Sequence, residues 1–249
     1  MSETEKLANG VKSRDARCIA RAISMIECGD ECSGSLLQML ECSGPPVLGI
    51  TGAPGVGKST LADALIRHYR SMDKTIGVVA VDPSSPITGG AVLGDRVRMH
   101  RHYTDEGVFI RSMATRGAYG GLAPASMGAI KVLSAAGYDM IMVETVGVGQ
   151  SEVEIMHLAD VVSLVLIPGM GDSIQTLKAG IMEIADVFVL NKADLNGIDE
   201  LERQVMDFIH MSGINDNGSM IIKTVASKNT GIDKLSEAVT EILGRKKCR

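Results

Sequence analysis

Short apolar runs rich in Val and Ile recur along the chain, separated by stretches long enough for a helix. Val47–Gly52, Ile76–Asp82, Val108–Met113, Asp139–Glu144, Val161–Ile167, Val187–Leu190 and Met220–Val225 are apolar at nearly every position rather than at every second one. Alternation marks a strand with one wet face, whereas continuous apolarity marks a strand covered on both. Between the runs, Lys58–Arg70, Leu122–Ala136, Ser173–Ala185 and Ile232–Leu243 have helical length and spacing. This order predicts an α/β fold, an open and mostly parallel sheet with helices on both faces. Ligands of such sheets sit at the carboxyl ends of the strands, so the chemistry is expected there.

Ahead of the first strand, Ser13–Glu27 places Ile19, Ala20, Ile23 and Ile26 at helical spacing. A Gly29-Asp30 break follows, and Leu36–Leu40 reads as a second short helix. Residues 1–44 are therefore expected to form a helical extension packed on a sheet domain spanning 45–249. Glu-Cys-Ser-Gly occurs at 31–34 and again at 41–44 without any longer period, which excludes a repeat architecture.

Composition narrows the function classes. Among 249 residues, 25 Lys and Arg face 30 Asp and Glu, a net charge of −5 that disfavours a protein wrapped on nucleic-acid phosphates. With no Trp, three Phe and four Tyr, base-stacking platforms are few. A hydrophobic share of 45% excludes disorder. The polar start Met-Ser-Glu-Thr-Glu-Lys lacks a signal peptide's apolar stretch, and the greasiest run, Val161–Met170, is broken by Ser163 and Pro168. A cytoplasmic protein with no membrane segment is expected. Its five cysteines, at 18, 28, 32, 42 and 248, are odd in number and not spaced as zinc pairs, so they read as reduced, small buried thiols.

The candidate chemistry begins after the first strand. Gly52-Ala53-Pro54-Gly55-Val56-Gly57-Lys58-Ser59-Thr60 matches G-x-x-x-x-G-K-[ST] between a predicted strand and a predicted helix, the P-loop context. Its glycines let backbone N–H groups turn toward phosphate oxygens, and the helix N-terminus adds partial positive charge. Lys58, expected in an exposed loop, reaches the β- and γ-phosphates, and the Ser59 hydroxyl binds Mg²⁺. Asn191-Lys192-Ala193-Asp194 ends another strand. A carboxylate there accepts both N1–H and the exocyclic amine of guanine, where adenine would present a lone pair. Ser227 and Lys228, after the last strand, are a third piece of the base pocket.

Acids at strand ends complete the phosphate side. Asp82 and Glu144 can reach a cation at the P-loop mouth directly or through water, as can Asp95 on a loop beyond the second strand. Gly147 is placed to offer its N–H to the γ-phosphate, a nucleotide-sensitive switch. Val148 follows it and cannot orient water, whereas Gln150 lies three residues past the glycine. Slow hydrolysis by the isolated chain is expected. Arg96, Arg98, His100, Arg101 and His102 read as a solvated basic helix face or else an acidic-partner site, and the fifteen Met as core filler first and adaptable contact surface second.

Taken together, RCIARAISMIE (17–27), the P-loop, VDPSSP (81–86), GGAVLGDRVRM (89–99), FIRSMATRGAYGGLA (109–123), ETVGVGQSEVE (144–154), IPGMGD (167–172), GIMEIADVFVLNKAD (180–194) and SKNTGIDKL (227–235) resemble the MeaB/ArgK/MMAA-type P-loop GTPases. The resemblance implies a P-loop NTPase fold and a GTP-hydrolysing chaperone of an adenosylcobalamin-dependent acyl-CoA mutase, chiefly methylmalonyl-CoA mutase. It implies GTP or GDP and Mg²⁺ as bound species, with a cobalamin adenosyltransferase as a further partner. It assigns Lys58 and Ser59 to phosphate and Mg²⁺, and Asp82, Asp95 and Glu144 to the metal's surroundings. Asn191, Lys192 and Asp194 go to guanine, and Gly169–Gly180, with Lys178, becomes a third switch. Longer relatives dimerise through a C-terminal helical arm that does not follow the last predicted helix here, which leaves a homodimer of that type in question. The rival readings are a nickel-insertion GTPase, which needs a His-rich tract, an ATP-dependent kinase linked to transport, which N-K-x-D opposes, and a nucleotide-locked scaffold without useful turnover.

Overall fold

The computed structural model describes residues 2–40, 44–82, 99–114, 124–145, 154–170, 180–212 and 219–247, the side chains of Asp82, His100, Pro124 and Lys247 excepted. Helices come first: α1 Glu3–Lys12, α2 Ala16–Cys28 and α3 Ser33–Met39. The sequence reading names helices in this extension only from Ser13 onward, so α1 is an addition to it. Only Leu7, Ala8 and Val11 of α1 turn inward. In the fold, a Cβ on Gly10 would stand 2.3 Å from Sγ of Cys18, so the glycine marks the contact between α1 and α2. A capping box starts α1, with the Ser2 hydroxyl accepting from the Glu5 N–H and the Glu5 carboxylate accepting from the Ser2 N–H. Asp15 caps α2 through the Cys18 N–H at 2.8 Å.

The strands are β1 Val47–Thr51, β2 Ile76–Asp82, β3 Val108–Ala114, β4 Met140–Glu144, β5 Val161–Leu166, β6 Val187–Leu190 and β7 Met220–Lys223. They form one sheet in the order β3-β2-β4-β1-β5-β6-β7, and every pairing is parallel. Helix α4 (Lys58–Ser71) follows β1, α5 (Pro124–Ala135) precedes β4, α6 (Ile198–Ser212) follows β6 and α7 (Ile232–Lys247) closes the described chain. The α/β P-loop architecture expected from the sequence is the one observed.

Side chains alternate between the two faces of the strands. Leu48, Ile50, Val78, Met142, Val165 and Val189 pack against Leu61, Leu65, Leu235 and Val239 of α4 and α7. On the opposite face, Val47, Val79, Ile141 and Val143 join α1, α2, α3 and α5 in a second core. Leu164, Leu166, Phe188 and Leu190 meet α6 in a third. Burial on both faces holds for the inner strands. Edge strands β3 and β7 are half-buried instead, because each has a neighbour on one side only.

Other expectations are corrected too. Helix α6, absent from the sequence reading, turns Leu201, Val205 and Ile209 inward at a spacing of four. Over the predicted helix Ser173–Ala185, residues 171–179 lie outside the described ones, and 180–184 are turn, opened by Gly180 at φ 114°. Cys28 and Cys32 are exposed and Cys18 half-buried, all three free; the first two flank the left-handed Gly29 turn between α2 and α3, away from the core. Cys42 and Cys248 lie outside the described residues. Among the described residues no helix is long and apolar enough to cross a membrane.

Candidate nucleotide site

The site is built at the carboxyl ends of β1, β4, β6 and β7. After β1, the chain turns through Gly52, Gly55 and Gly57, at φ 139°, 79° and 95°, and enters α4 at Lys58. Only glycine takes these values without strain. Two of the three also have neighbours where a side chain would be: a Cβ on Gly52 would lie 2.4 Å from the Val165 carbonyl oxygen, and one on Gly57 2.6 Å from Nδ2 of Asn191.

Lys58 is only 7% exposed, a correction to the exposed loop position expected for it. Its ammonium donates to the carbonyls of Gly52 at 2.7 Å and Ala53 at 3.1 Å, so the charge is held inside the loop's own ring of carbonyls. Anionic oxygens arriving at the cradle compete for that ammonium with two neutral acceptors, and a charge-assisted bond is the stronger one.

Ser59, buried one residue into α4, donates to Oε1 of Glu144 at 2.7 Å. Parallel register places Glu144 opposite Ile50 of β1 and Ala80 of β2, at the centre of the sheet's carboxyl edge. The next residue, Thr145, donates its hydroxyl to that of Thr51 at 3.0 Å, which latches the tips of β4 and β1 together. A buried hydroxyl and a carboxylate side by side are an all-oxygen donor set, the chemistry Mg²⁺ accepts. Among the described residues no three His, Cys, Asp or Glu side chains form a metal-holding group, so a cation on this pair would need further oxygens from outside it. Of the other acids named from the sequence, the side chain of Asp82 and all of Asp95 lie outside the described residues, as do Gly147, Gln150 and Lys178.

The N-K-x-D run is tied to the P-loop. Asn191 is buried, and its amide donates to the Val56 carbonyl at 2.9 Å while its Oδ1 accepts from the Thr224 hydroxyl at 3.1 Å and the Ala226 N–H at 3.2 Å. Lys192, at φ 54°, reaches across to the Gly55 carbonyl at 3.0 Å. Asp194 stands in the open with Lys228 Nζ 2.8 Å from Oδ2, and this hydrogen bond holds its carboxyl below the ordinary value of 3.8. Ser227 is exposed beside it, while Thr60 is exposed on the first turn of α4. The structure thus brings Lys58, Ser59 and Glu144 together at one end and Asp194, Ser227 and Lys228 at the other, with Asn191 and Lys192 between.

The sequence reading missed Asp63 and His102. The imidazole Nε2 and Asp63 Oδ1 are 2.8 Å apart, and both residues are buried. This corrects the solvated basic face: Arg101 is exposed, but His102 turns inward on the turn His100–His102 because α4 offers it a carboxylate. Arg96 and Arg98 lie outside the described residues. The only available signal was Asp63 sitting four residues after Ser59, on the same side of a predicted helix.

Comparison with known proteins agrees with this geometry. The family described as methylmalonyl Co-A mutase-associated GTPase MeaB matches residues 19–246. A putative GTPase of Pyrococcus abyssi (strain GE5 / Orsay) is 49% identical over 243 residues, which are 95% of this chain and 75% of that protein. The solved LAO/AO transport system kinase superposes with a TM-score of 0.74 at 27% identity, covering 97% of this chain and 76% of that one. HypB from Helicobacter pylori, solved with nickel, shares the fold alone, with a TM-score of 0.62 at 17% identity over 98% of this chain and 97% of that one. With the family matched over residues 19–246 and a relative 49% identical across 95% of its length, the chain belongs to the MeaB family of methylmalonyl-CoA mutase-associated GTPases.

Proposed function

We propose that the chain binds and hydrolyses GTP, and uses the nucleotide state to gate cofactor loading and protection of a B12-dependent acyl-CoA mutase of the methylmalonyl-CoA mutase type. The observation that carries the nucleotide part is the bond from Asn191 to the Val56 carbonyl, which joins the N-K-x-D run to the P-loop. Lys58 exchanges the Gly52 and Ala53 carbonyls for β- and γ-phosphate oxygens, while the backbone N–H groups of 52–60 cradle the phosphates. Ser59 and Glu144 would hold the cation, with Asp82 and Asp95 in its surroundings, and Mg²⁺ there would supply neutralisation of phosphate charge. Asp194 accepts both guanine donors, and Ser227 and Lys228 wall the base.

Gly147, Gln150 and Lys178 belong to the segments that respond to the γ-phosphate. Turnover is slow in isolation, because Val148, next after Gly147 in the sequence, has no side chain able to orient water, and a mutase that orders these segments speeds it. The same reading takes 1–44 as a helical extension of a GTPase domain over 45–249, with a cytoplasmic site of action. It admits a cobalamin adenosyltransferase as a second partner and a homodimer as the assembly. The test is GTP turnover alone and with saturating mutase, for the natural chain and for Gln150→Ala and Lys178→Ala, with ATP as competitor. Stimulation lost in the variants and GTP preferred over ATP are expected. Fast turnover without a mutase, or undiminished stimulation of both variants, would overturn the gating mechanism, and equal use of ATP would favour the kinase reading.

A further inference from the structure

Three polar side chains on α4 lie in one stripe, and each ends on a separate anchor. Ser59, Asp63 and Arg70 are spaced by four and seven residues, which at 3.6 residues per turn keeps them within about 40° of one line along the helix. Ser59 donates to Glu144 at the tip of β4, 2.7 Å away. One turn on, the Asp63 carboxylate accepts from Nε2 of His102 at 2.8 Å. Two further turns on, Arg70 donates from Nε and from a terminal nitrogen to the two oxygens of Asp105, at 2.9 and 3.0 Å. His102 and Asp105 both belong to the stretch that leads straight into β3 at Val108. Along α4 the order is acid then base; along the facing stretch it is base then acid. Only one axial register of the helix satisfies both pairs.

The pairs are placed where register matters. Asp63 is 7% exposed and His102 6%, and Met99, just ahead, is buried in the same core as Leu61 and Leu65 of α4. Arg67 stands 3.2 Å from the second oxygen of Asp63, and Arg101 3.8 Å from the first, so the carboxylate is met by cations from both elements. Apolar contact alone is non-directional and tolerates a small slide of one element past another. Hydrogen-bonded pairs do not, since their strength depends on geometry. The Ser59 and Glu144 oxygens, 2.7 Å apart, already stand near the spacing of two neighbouring oxygens on one octahedral Mg²⁺, about 2.9 Å. A slide of α4 by a fraction of one residue's rise, about 1.5 Å, would forfeit that match.

We propose that Asp63 and His102 are positioning residues for the cation site: with Arg70 and Asp105 they lock α4 in the register that keeps the Ser59 hydroxyl facing Glu144 when a divalent cation joins them. This rests on the reading of Ser59 and Glu144 as the cation-binding pair. Loss of the lock weakens the cation and leaves the base site, which hangs on Asn191 and Asp194, as it was.

The experiment uses the full chain with fluorescent GDP and GTP analogues, titrated with Mg²⁺ and read as nucleotide retention rather than turnover. His102→Phe keeps the ring and removes the donor; Asp63→Asn keeps the shape and removes the charge. In both, the Mg²⁺ concentration at half-maximal retention rises about tenfold, the usual consequence of losing a residue that orients a metal ligand. Affinity measured in EDTA changes less than about twofold, and His102→Gln, which restores an N–H donor, recovers most of the Mg²⁺ response. Asp105→Asn, at the partly exposed end of the lock, shifts the midpoint the same way by a smaller factor and decides the matter if the buried variants do not fold. An unchanged Mg²⁺ midpoint in the folded variants, or equal loss with and without Mg²⁺, overturns the proposal. A natural chain whose nucleotide retention ignores Mg²⁺ overturns the reading of Ser59 and Glu144 first, and the proposal with it.

Discussion

The side-chain amide of Asn191 and the backbone carbonyl of Val56 are joined by a 2.9 Å hydrogen bond, although 135 residues separate them. Since Asn191 Oδ1 also accepts from Thr224 and Ala226, one buried amide ties the phosphate loop to the exits of both β6 and β7. Replacing it with Asp puts an acceptor against the Val56 carbonyl, and leaving a buried polar group unsatisfied costs about 1–3 kcal/mol. Asn191→Asp should therefore lower the urea midpoint and weaken GTP and ATP alike. Nucleotide affinity equal to that of the natural chain would show that the joint is only structural.

Gly57→Ala attacks the same joint from the other side. The residue sits at φ 95°, and the new Cβ would meet Asn191 Nδ2 at 2.6 Å. Backbone strain of this kind costs on the order of 1–3 kcal/mol, and the Asn191 bonds are displaced as well. The expected result is a lower melting temperature together with lost GTP binding in a calorimetric titration; a variant that binds normally would mean the loop relaxes around the methyl group.

Lys58→Ala removes the ammonium that the Gly52 and Ala53 carbonyls hold in place. A charge-assisted hydrogen bond contributes about 1.5–3 kcal/mol, so GTP affinity should fall roughly tenfold to a hundredfold while circular dichroism stays unchanged. Hydrolysis at the natural rate by this variant would remove the phosphate assignment.

Asp194 carries a pH signature. The Lys228 hydrogen bond holds its carboxyl below 3.8, so in the folded chain the carboxylate survives as pH falls through that value and protonates only further down. Guanine preference needs the ionised acceptor and follows the same course. In Lys228→Ala the loss should begin at higher pH, nearer 3.8. GTP-over-ATP binding followed between about pH 3 and 5 reads the difference. Coincident curves would separate Asp194 from the base. Asp194→Asn should remove most of the guanine preference at neutral pH, where the natural carboxylate is ionised, and make little difference once that carboxylate is protonated.

Alkaline stability should depend on Tyr138. Burial pushes its hydroxyl up to about 12 against the lowering influence of the Arg14 guanidinium, which stands 4.8 Å from the ring centre. Unfolded, the same group ionises near 10. Between the two values the unfolded chain binds fewer protons, so stability falls as pH rises through that window. Tyr138→Phe keeps the ring under Arg14 and removes the proton, and its melting temperature should fall less steeply there. Parallel slopes would mean the hydroxyl ionises at its ordinary value in the fold.

Much of this molecule was legible in advance for a physical reason. Continuous apolar strands and the Gly52–Thr60 run are local patterns, and parallel sheets collect ligands at one predictable edge. What escaped depends on partners distant in sequence. Helix α1 looks too polar to fold until α2 and α5 cover Leu7 and Val11. His102 looks solvated until Asp63 faces it, and Lys58 looks exposed until its own loop curls over it. Cys28 and Cys32 look like core by residue type, yet the Gly29 turn carries them outward. Asn191 was identified by motif as a base contact, and its bonds to Val56, Thr224 and Ala226 add a second duty that no spacing announces.

The strand order has a spatial consequence for any client. Because β1 lies between β4 and β5, the chain leaves the sheet on either side of the P-loop, after Glu144 and after Leu166. Neighbouring strands stand about 4.8 Å apart, so these two exits are only about 10 Å from each other. That is the width of a single α-helix. On the proposed function, a client would need no enclosing surface to reach both segments: one helix laid across the crest of the sheet would span both roots at once, and would leave the edges at β3 and β7 clear.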